Sequence, residues 1–419
     1  TGAGGAAAGA NDSGGMGGAR GGNRGSGGAT ASTGGGGAGG ESNGGEATGG
    51  ESTGGAGAGA GGDGGDGTVG PVSPRTTIDT ETQSVCAVVD GSVRCWGDGD
   101  FGALGDGIAR SAGEFAATPV TVENISDAVE VEVGAHFACA LRANRTVECW
   151  GAGGLGQLGD GDVHPDGVTS PQLVPALGDV LDLAVGYAHA CALLEGGRVK
   201  CWGGGGQGEL GNGERSGSPS PVDVVDLGNA VRISAGGHST CAVLDDTSVS
   251  CWGDIPTSLR PMHVSDFFAV DGVSVGTRHV CALKASSVWC WGQGDSGQLG
   301  NEGLNNHYFP VLVRNLPPVV SVTCGMAHTC ALLEDRSARC WGGGVFGELG
   351  DGVAHFELTG RIETVMDLAN ATEVTAGGFR TCARVGTKIF CWGNGGKGSL
   401  GDGDPPQSTV PLEIDGVVP

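Results

Sequence analysis

Fourteen of the fifteen cysteines fall into pairs nine or ten residues apart: Cys86 with Cys95, Cys139 with Cys149, Cys191 with Cys201, Cys241 with Cys251, Cys281 with Cys290, Cys330 with Cys340, and Cys382 with Cys391. Thiols at such spacing either bind metal or oxidise to disulfides. Structural zinc sites use close C-x-x-C knuckles, and the sequence has none. The local chain decides for oxidation. In CAVVDGSVRC, Asp90-Gly91 is a two-residue hairpin turn. Counting outward, Val89 faces Ser92, Val88 faces Val93, Ala87 faces Arg94 and Cys86 faces Cys95. The cysteines then form a non-hydrogen-bonded pair with Cα atoms about 4.5 Å apart, within the roughly 4.4–6.8 Å that a disulfide accepts. Where one residue is added, as between Cys191 and Cys201, the loop Glu195-Gly196-Gly197 keeps the cysteines opposed. Cys324 is left over, in the place that Ala235 and Ala376 hold in their copies. It reads as a small buried residue rather than a reactive thiol.

The other candidate chemistry is repeated, which argues against catalysis. His189, His279 and His328 stand two residues before a hairpin cysteine; His136 and His238 stand one residue earlier, and Ser84 and Arg380 hold the later position in their copies. A catalytic base is needed once, so these histidines are expected to satisfy buried backbone groups between strands. Asp98-Gly-Asp100, Asp106, Asp160, Asp162, Asp166, Asp402 and Asp404 lie in loops. They lack the further oxygen ligands and distal Glu of a calcium loop and read as solvated turn acids. Glycine runs such as Gly203–Gly206 are not followed by the Lys-Ser/Thr of a phosphate loop, and neither a Gly-x-Ser-x-Gly elbow nor a His-Glu-x-x-His pair occurs. No catalytic residue, metal site or cofactor is therefore assigned, and the chain is not read as an enzyme.

These residues are placed by a repeat of roughly fifty residues, marked by Trp96, Trp150, Trp202, Trp252, Trp291, Trp341 and Trp392, each followed by Gly. A unit holds an apolar run, the Cys hairpin, Trp-Gly, a glycine loop ending in Leu-Gly-Asp-Gly or a variant, and a proline-led segment such as Pro119-Val120 or Pro310-Val311. β-branched residues and turn glycines predict about four short strands per unit and no helix. Seven four-stranded units predict an all-β, seven-bladed propeller. The first and last copies look complementary, so the ring is expected to close by joining N- and C-terminal strands in one blade.

The pattern G-x-x-H-x-C-A-L…C-W-G-x-G-x-x-G-x-L-G-D-G, seen at Gly186, His189, Ala192-Leu193, Trp202-Gly203, Gly208 and Leu210-Gly211, resembles the RCC1 (regulator of chromosome condensation) repeat over residues 75–419. The resemblance implies the same propeller. It leaves function open, since such propellers include an exchange factor for a small GTPase, a plant photoreceptor and secreted bacterial inhibitors of β-lactamase. The paired cysteines depart from intracellular members. Gly276-Thr277-Arg278-His279-Val280 is the nearest approach to the photoreceptor's Gly-Trp-Arg-His-Thr runs. The secreted branch is the most similar.

Residues 1–74 are Gly, Ala, Ser, Thr, Asn and acids with almost no large apolar side chain, the composition of a disordered tether. This stretch resembles the spacer after the lipidated cysteine of bacterial surface lipoproteins, which implies an anchor upstream. The 419 residues carry a net charge of −25, which disfavours nucleic acid as a partner. No apolar run approaches the roughly twenty residues of a membrane span. The cysteine pairs point to an oxidising, secreted or cell-surface location.

Repeat four breaks the pattern: Asp254–Pro261 replaces the glycine loop. Tyr308, Phe309 and Trp289 are the candidate partner-binding residues, because interfaces favour aromatic anchors. Trp289 reads as an aromatic without a counterpart in other copies. The expected role is recognition of a protein partner through one face of a monomeric ring. The alternatives are a regulator of a small GTPase, or a secreted hydrolase or enzyme inhibitor, the hydrolase calling for a cluster of unpaired carboxylates at the central channel.

Overall fold

The computed structural model describes residues 76–358, 360–403 and 406–417. The expected tether at 1–74 and Asp404 lie outside them. Seven four-stranded antiparallel sheets follow one another, each built from consecutive strands. Blade one runs Ile78–Glu81, Ser84–Val89, Ser92–Asp98 and Phe115–Thr121. The innermost strands of blades two to seven are Ala128–Val133, Val180–Val185, Ala230–Gly236, Gly272–Val275, Val319–Cys324 and Glu373–Gly377. Their outermost strands are His164–Leu173, Ser218–Asp223, Ser258–His263, His307–Leu312, Ile362–Thr364 and Gln407–Glu413. Prolines 119, 171, 310 and 411 fall on these outer strands, where a missing N–H costs no ladder bond and discourages edge-to-edge pairing.

The hairpin register is the one the turn dictates: Val89 pairs with Ser92, Val88 with Val93, Ala87 with Arg94 and Cys86 with Cys95. Asp90 and Gly91 both take positive φ, 49° and 78°, as a type I′ turn requires. Every expected disulfide is formed: Cys86 to Cys95, Cys139 to Cys149, Cys191 to Cys201, Cys241 to Cys251, Cys281 to Cys290, Cys330 to Cys340, and Cys382 to Cys391. The paired Cα atoms are 4.0–4.1 Å apart. That is closer than the expected separation of about 4.5 Å, because the bond draws the two strands together at each pair. Cys324 is buried beside Ser274, and burial pushes its thiol up to about 12.

Ring closure differs from the expectation. Among the described residues no sheet mixes strands from the two ends. The proline-led segment at Pro119 already completes blade one, and Gln407–Glu413 completes blade seven, so neither is left a strand short. The ends meet as neighbouring blades, joined by side-chain and backbone hydrogen bonds across the seam.

Each Trp-Gly landmark sits in the seam to the preceding blade. The indoles of Trp96, Trp150, Trp202, Trp252, Trp341 and Trp392 donate to carbonyls of Ser399, Ala103, Gln157, Glu209, Gln298 and Glu348 at 2.8–3.2 Å. These carbonyls belong to the preceding blade's glycine loop. One residue later the loop buries its leucine, as at Leu104 and Leu158, and then lays a glycine on the indole. A Cβ on Gly105 or Gly159 would come within 2.7 Å of the ring. Leu-Gly-Asp-Gly is therefore a seam lock, in which only glycine fits over the tryptophan.

Candidate functional site

Two regions gather side chains that the repeat alone does not require: the axial funnel and the seam between blades four and five.

The innermost strands line a funnel of about 760 Å³. The position opposite the first hairpin cysteine is Asp79, Glu132, Ala184, Ser234, Ser274, Thr323 and Thr375 in blades one to seven. In several blades this side chain takes a backbone N–H from the next blade. Val133 donates to Asp79 at 2.7 Å, Val275 to Ser234 at 3.1 Å, Cys324 to Ser274 at 3.0 Å and Ala376 to Thr323 at 2.9 Å. Ala184 has no side-chain oxygen to offer, and Asp182 accepts from Ile233 N–H instead, at 3.2 Å. Thr375 closes the ring by donating to the other oxygen of Asp79 at 3.1 Å.

Asp79, Glu81, Glu130, Glu132, Asp182 and Glu373 line the funnel, but each has a partner, so they are not the unpaired cluster that a hydrolase would need. Burial raises the pKa of Asp79, Glu132 and Glu373, and pushes Glu81 up to about 7. Both oxygens of Asp79 are engaged in tying blades together, and Glu373 accepts from the Thr77 N–H at 2.7 Å and from the Thr77 hydroxyl. These carboxyl groups hold seams first.

Two cationic side chains secure the seam between blades seven and one. Arg380 is fully buried and donates to the Asn394 carbonyl, Thr80 Oγ1, the Thr82 carbonyl and Ser399 Oγ. Arg384 donates to the carbonyls of Thr77 and Val88, both at 3.0 Å. Glu81 stands where the register puts Gly236 and Gly377 in their blades. A Cβ on Gly186 would collide with the His189 ring; blade one has the small Ser84 in that place, which leaves room for a glutamate facing Arg380.

The repeated histidines are structural, with a partner that differs in detail from the one expected. His189, His279 and His328 are buried, and each Nε2 meets a threonine hydroxyl of the next blade: Thr240, Thr329 and Thr381, at 2.8, 2.8 and 3.0 Å. Those hydroxyls donate onward to carbonyls of Glu209, Gln298 and Glu348, so each Nε2 carries the proton. Burial holds the three rings neutral, with pKa values lowered to about 4, 3 and 4. His136 and His238 are partly exposed beside Asp98 and Glu209.

All three sequence-predicted contact residues lie in blade five. Tyr308 and Phe309 are 91% and 71% exposed on the outermost strand. Trp289 is different: it is half-buried, edge-on to Phe267 at 6.0 Å. It also has a counterpart, since Phe390 holds the same register in blade seven. Across the seam, the short turn of blade four contains Ile255 and a cis Pro256. Trp291 there meets Phe267 edge-on at 6.0 Å. Sequence reasoning misses Glu81 and Phe267. Aligning the repeats would show the first as a lone acid in a glycine column and the second as the aromatic in a column that otherwise holds Ile125, Leu177, Leu227, Leu316, Leu368 and Val417.

Residues 90–141, 147–193, 196–243 and 286–332 match the Regulator of chromosome condensation (RCC1) repeat, and 180–209 and 319–348 match a second model of that repeat. The chain is 26% identical over 344 residues to the human E3 ubiquitin-protein ligase HERC2, covering 79% of this chain and 6% of that one. It is 27% identical over 337 residues to the Ultraviolet-B receptor UVR8 of Arabidopsis thaliana, covering 77% of this chain and 67% of that protein. Among solved structures, yeast RCC1 (Prp20) bound to Kap60 superposes with a TM-score of 0.68 at 20% identity, over 81% of this chain and 88% of that one. Human WBSCR16 gives 0.68 at 20% identity, over 77% and 94%. At such identity these structures bear on the fold alone.

Proposed function

The chain belongs to the Regulator of chromosome condensation (RCC1) repeat family, and from that premise we propose that it is a protein-recognition module working outside the cytoplasm. The observation that carries this reading is the exposure of Tyr308 and Phe309, side by side on an outer strand. Aromatic side chains are the usual anchors of interfaces. Seven disulfides fit an oxidising compartment, secreted or at the cell surface, and they disfavour a cytosolic exchange factor. The net charge of −25 steers the protein toward partners with basic patches.

The test is capture on the full oxidised chain, using surface and secreted proteins as prey, with Tyr308→Ser/Phe309→Ser as the control bait. A saturable partner retained by the wild type and lost by the control supports the reading. A partner retained equally by both removes these residues from it. Compartment is tested by alkylation without reductant. After denaturation one thiol, Cys324, should react; fifteen would reopen the cytosolic exchange-factor reading.

The second reading, a secreted hydrolase, is favoured by the raised Glu81 and Asp79 carboxyls in the funnel. Turnover of a glycan or peptide library that vanishes in Glu81→Gln would establish it.

A further inference from the structure

Six of the seven seams share one further contact. A residue of the outer strand, in five of them the one after the pairing with the Trp-Gly glycine, lies under the preceding blade's loop. The pairs are Gly102 on Thr169, Gly156 on Pro219, Gly208 on Leu259, Gly297 on Gly360, Gly347 on Thr409 and Gly398 on Ala117. In each, a Cβ on the loop glycine would come within 2.5–2.9 Å of the covered residue's backbone or side chain, and the glycine φ lies between 67° and 93°. The six covered residues are all half-buried or buried.

Five of these loops add a hydrogen bond. Five residues after the covering glycine, a second glycine donates its N–H to the covered residue's carbonyl. The bonds run from Gly107 to Thr169, Gly161 to Pro219, Gly213 to Leu259, Gly352 to Thr409 and Gly403 to Ala117, at 2.9–3.2 Å. The unit that does this reads GALGDG, GQLGDG, GELGNG, GELGDG and GSLGDG.

The seventh seam lacks the loop. His307 pairs with Gly292 as Ser218 pairs with Gly203, so Tyr308 is the residue that blade four's loop would cover. It is 91% exposed instead. Phe309 stands where the other outer strands carry Thr118, Ser170, Ser220, Arg260, Arg361 and Val410, so the notch is bordered by an aromatic where the ring otherwise prefers polar residues. Ile255 of the shortened turn joins the apolar cluster around Trp291. The leucine socket is thereby filled within the chain, and only the outer, glycine-binding half of the seam is open.

We infer that this notch, over Tyr308 and beside Phe309, is a docking site for a glycine-bearing loop of a partner protein, which completes the seam that blade four leaves open. The inference rests on the protein-recognition reading above and names its site and ligand chemistry. The intact seams define what fits: all six put a left-handed glycine against the covered backbone, here that of Tyr308, and five add a second N–H five residues on, aimed at the covered carbonyl. Any side chain at the first position collides.

The test uses the two tyrosines of the chain. Nitration of Tyr308 by tetranitromethane is read by peptide mass, with Tyr187 as the internal control. The probe is a head-to-tail cyclised peptide carrying this chain's own Gly208–Gly213 unit, added to the full oxidised protein. At ten times its dissociation constant it should slow Tyr308 nitration about tenfold and leave Tyr187 unchanged. The same peptide with valine at the first glycine should do nothing. In a second arm, blade three's loop 204–217 is grafted in place of residues 254–257 to cover the notch in cis. Protection of Tyr308 in either arm supports the inference; nitration at the wild-type rate in both overturns it. The graft also separates the two readings. If the partner captured above is lost with Tyr308→Ser/Phe309→Ser but retained by the graft, recognition stands and the notch falls. If the double variant keeps the partner, it is the recognition reading at these residues that falls.

Discussion

Two seams of this ring depart from the other five, in opposite directions. Between blades seven and one no chain connection crosses, and the seam is filled with buried polar groups: Arg380 on Thr80, Thr82 and Ser399, Arg384 on Thr77 and Val88, and Lys397 on Asp98 and Asp100 at 2.6 and 3.1 Å. Between blades four and five the backbone continues, but the locking loop has been cut to Ile255-Pro256-Thr257 and aromatics take its place. The contrast locates where the fold tolerates loss. A seam bridged covalently can give up its loop, whereas the seam that must hold the two ends together gains the bonds of Arg380, Arg384 and Lys397.

The largest effect should come from the closing seam. Arg380 is fully buried and donates to Thr80, Thr82, Asn394 and Ser399; a hydrogen bond from a charged donor contributes about 1.5–3 kcal/mol, so losing two or more of them costs about 3 kcal/mol or more. Arg380→Met should lose that much in urea unfolding of the oxidised protein. Thr329→Val at a regular seam, which deprives His279 Nε2 of its partner, should lose about 1–3 kcal/mol. Equal losses would mean that the closing seam carries no special share of ring stability.

The two kinds of seam should also respond to pH with opposite sign. Glu81 is raised from its ordinary 4.5 to about 7, by burial above all. The folded state therefore holds its proton where the unfolded chain has released it, and this contribution to stability is present in acid and lost as pH rises from about 4.5 through 7. His189, His279 and His328 are lowered from 6.5 to about 4, 3 and 4. Their contribution is present above 6.5 and lost as pH falls through that range. Glu81→Gln should reduce the fall in stability between about pH 4.5 and 7, leaving the share of Asp79, which is raised to about 7 as well, and should leave the histidine contribution as it was. A profile unchanged on both sides would remove Glu81 as a titrating group of the closing seam.

A smaller difference should separate the tryptophans. Trp341 donates to the Gln298 carbonyl at 2.9 Å under Gly300, while Trp291 packs on Phe267. Trp341→Phe strands a buried carbonyl and should cost about 1 kcal/mol more than Trp291→Phe. Identical unfolding midpoints would show that the loop's hydrogen bond does not contribute to the lock.

What can be read from the sequence follows the same division. The hairpins are readable pair by pair because Asp90-Gly91 fixes the register and register fixes which cysteines meet. The propeller is readable because the unit repeats. The mode of closure is not: strand sharing and side-by-side packing leave the same apolar pattern at the ends, and only the pairing of Phe115–Thr121 with Ser92–Asp98 distinguishes them. The threonine partners of the histidines lie fifty residues away, one blade on, where no local pattern points. Tyr308 and Phe309 can be picked out as irregular, but that Tyr308 occupies a covered position requires the six other seams in three dimensions.

The smallest effect on folding should come from the residues proposed to matter most for binding. Tyr308 and Phe309 are largely exposed, and surface substitutions away from special features usually change stability by less than about 0.5 kcal/mol. Tyr308→Ser/Phe309→Ser should therefore unfold with the wild type in urea while losing its captured partner. A double variant destabilised by about 2 kcal/mol or more, on the order of a core substitution, would mean that these rings pack against the propeller in solution and that the seam between blades four and five is closed by its own aromatics. An unchanged midpoint with lost capture leaves the open seam as a binding feature: a place where the propeller has kept its fold and exchanged an internal contact for an external one.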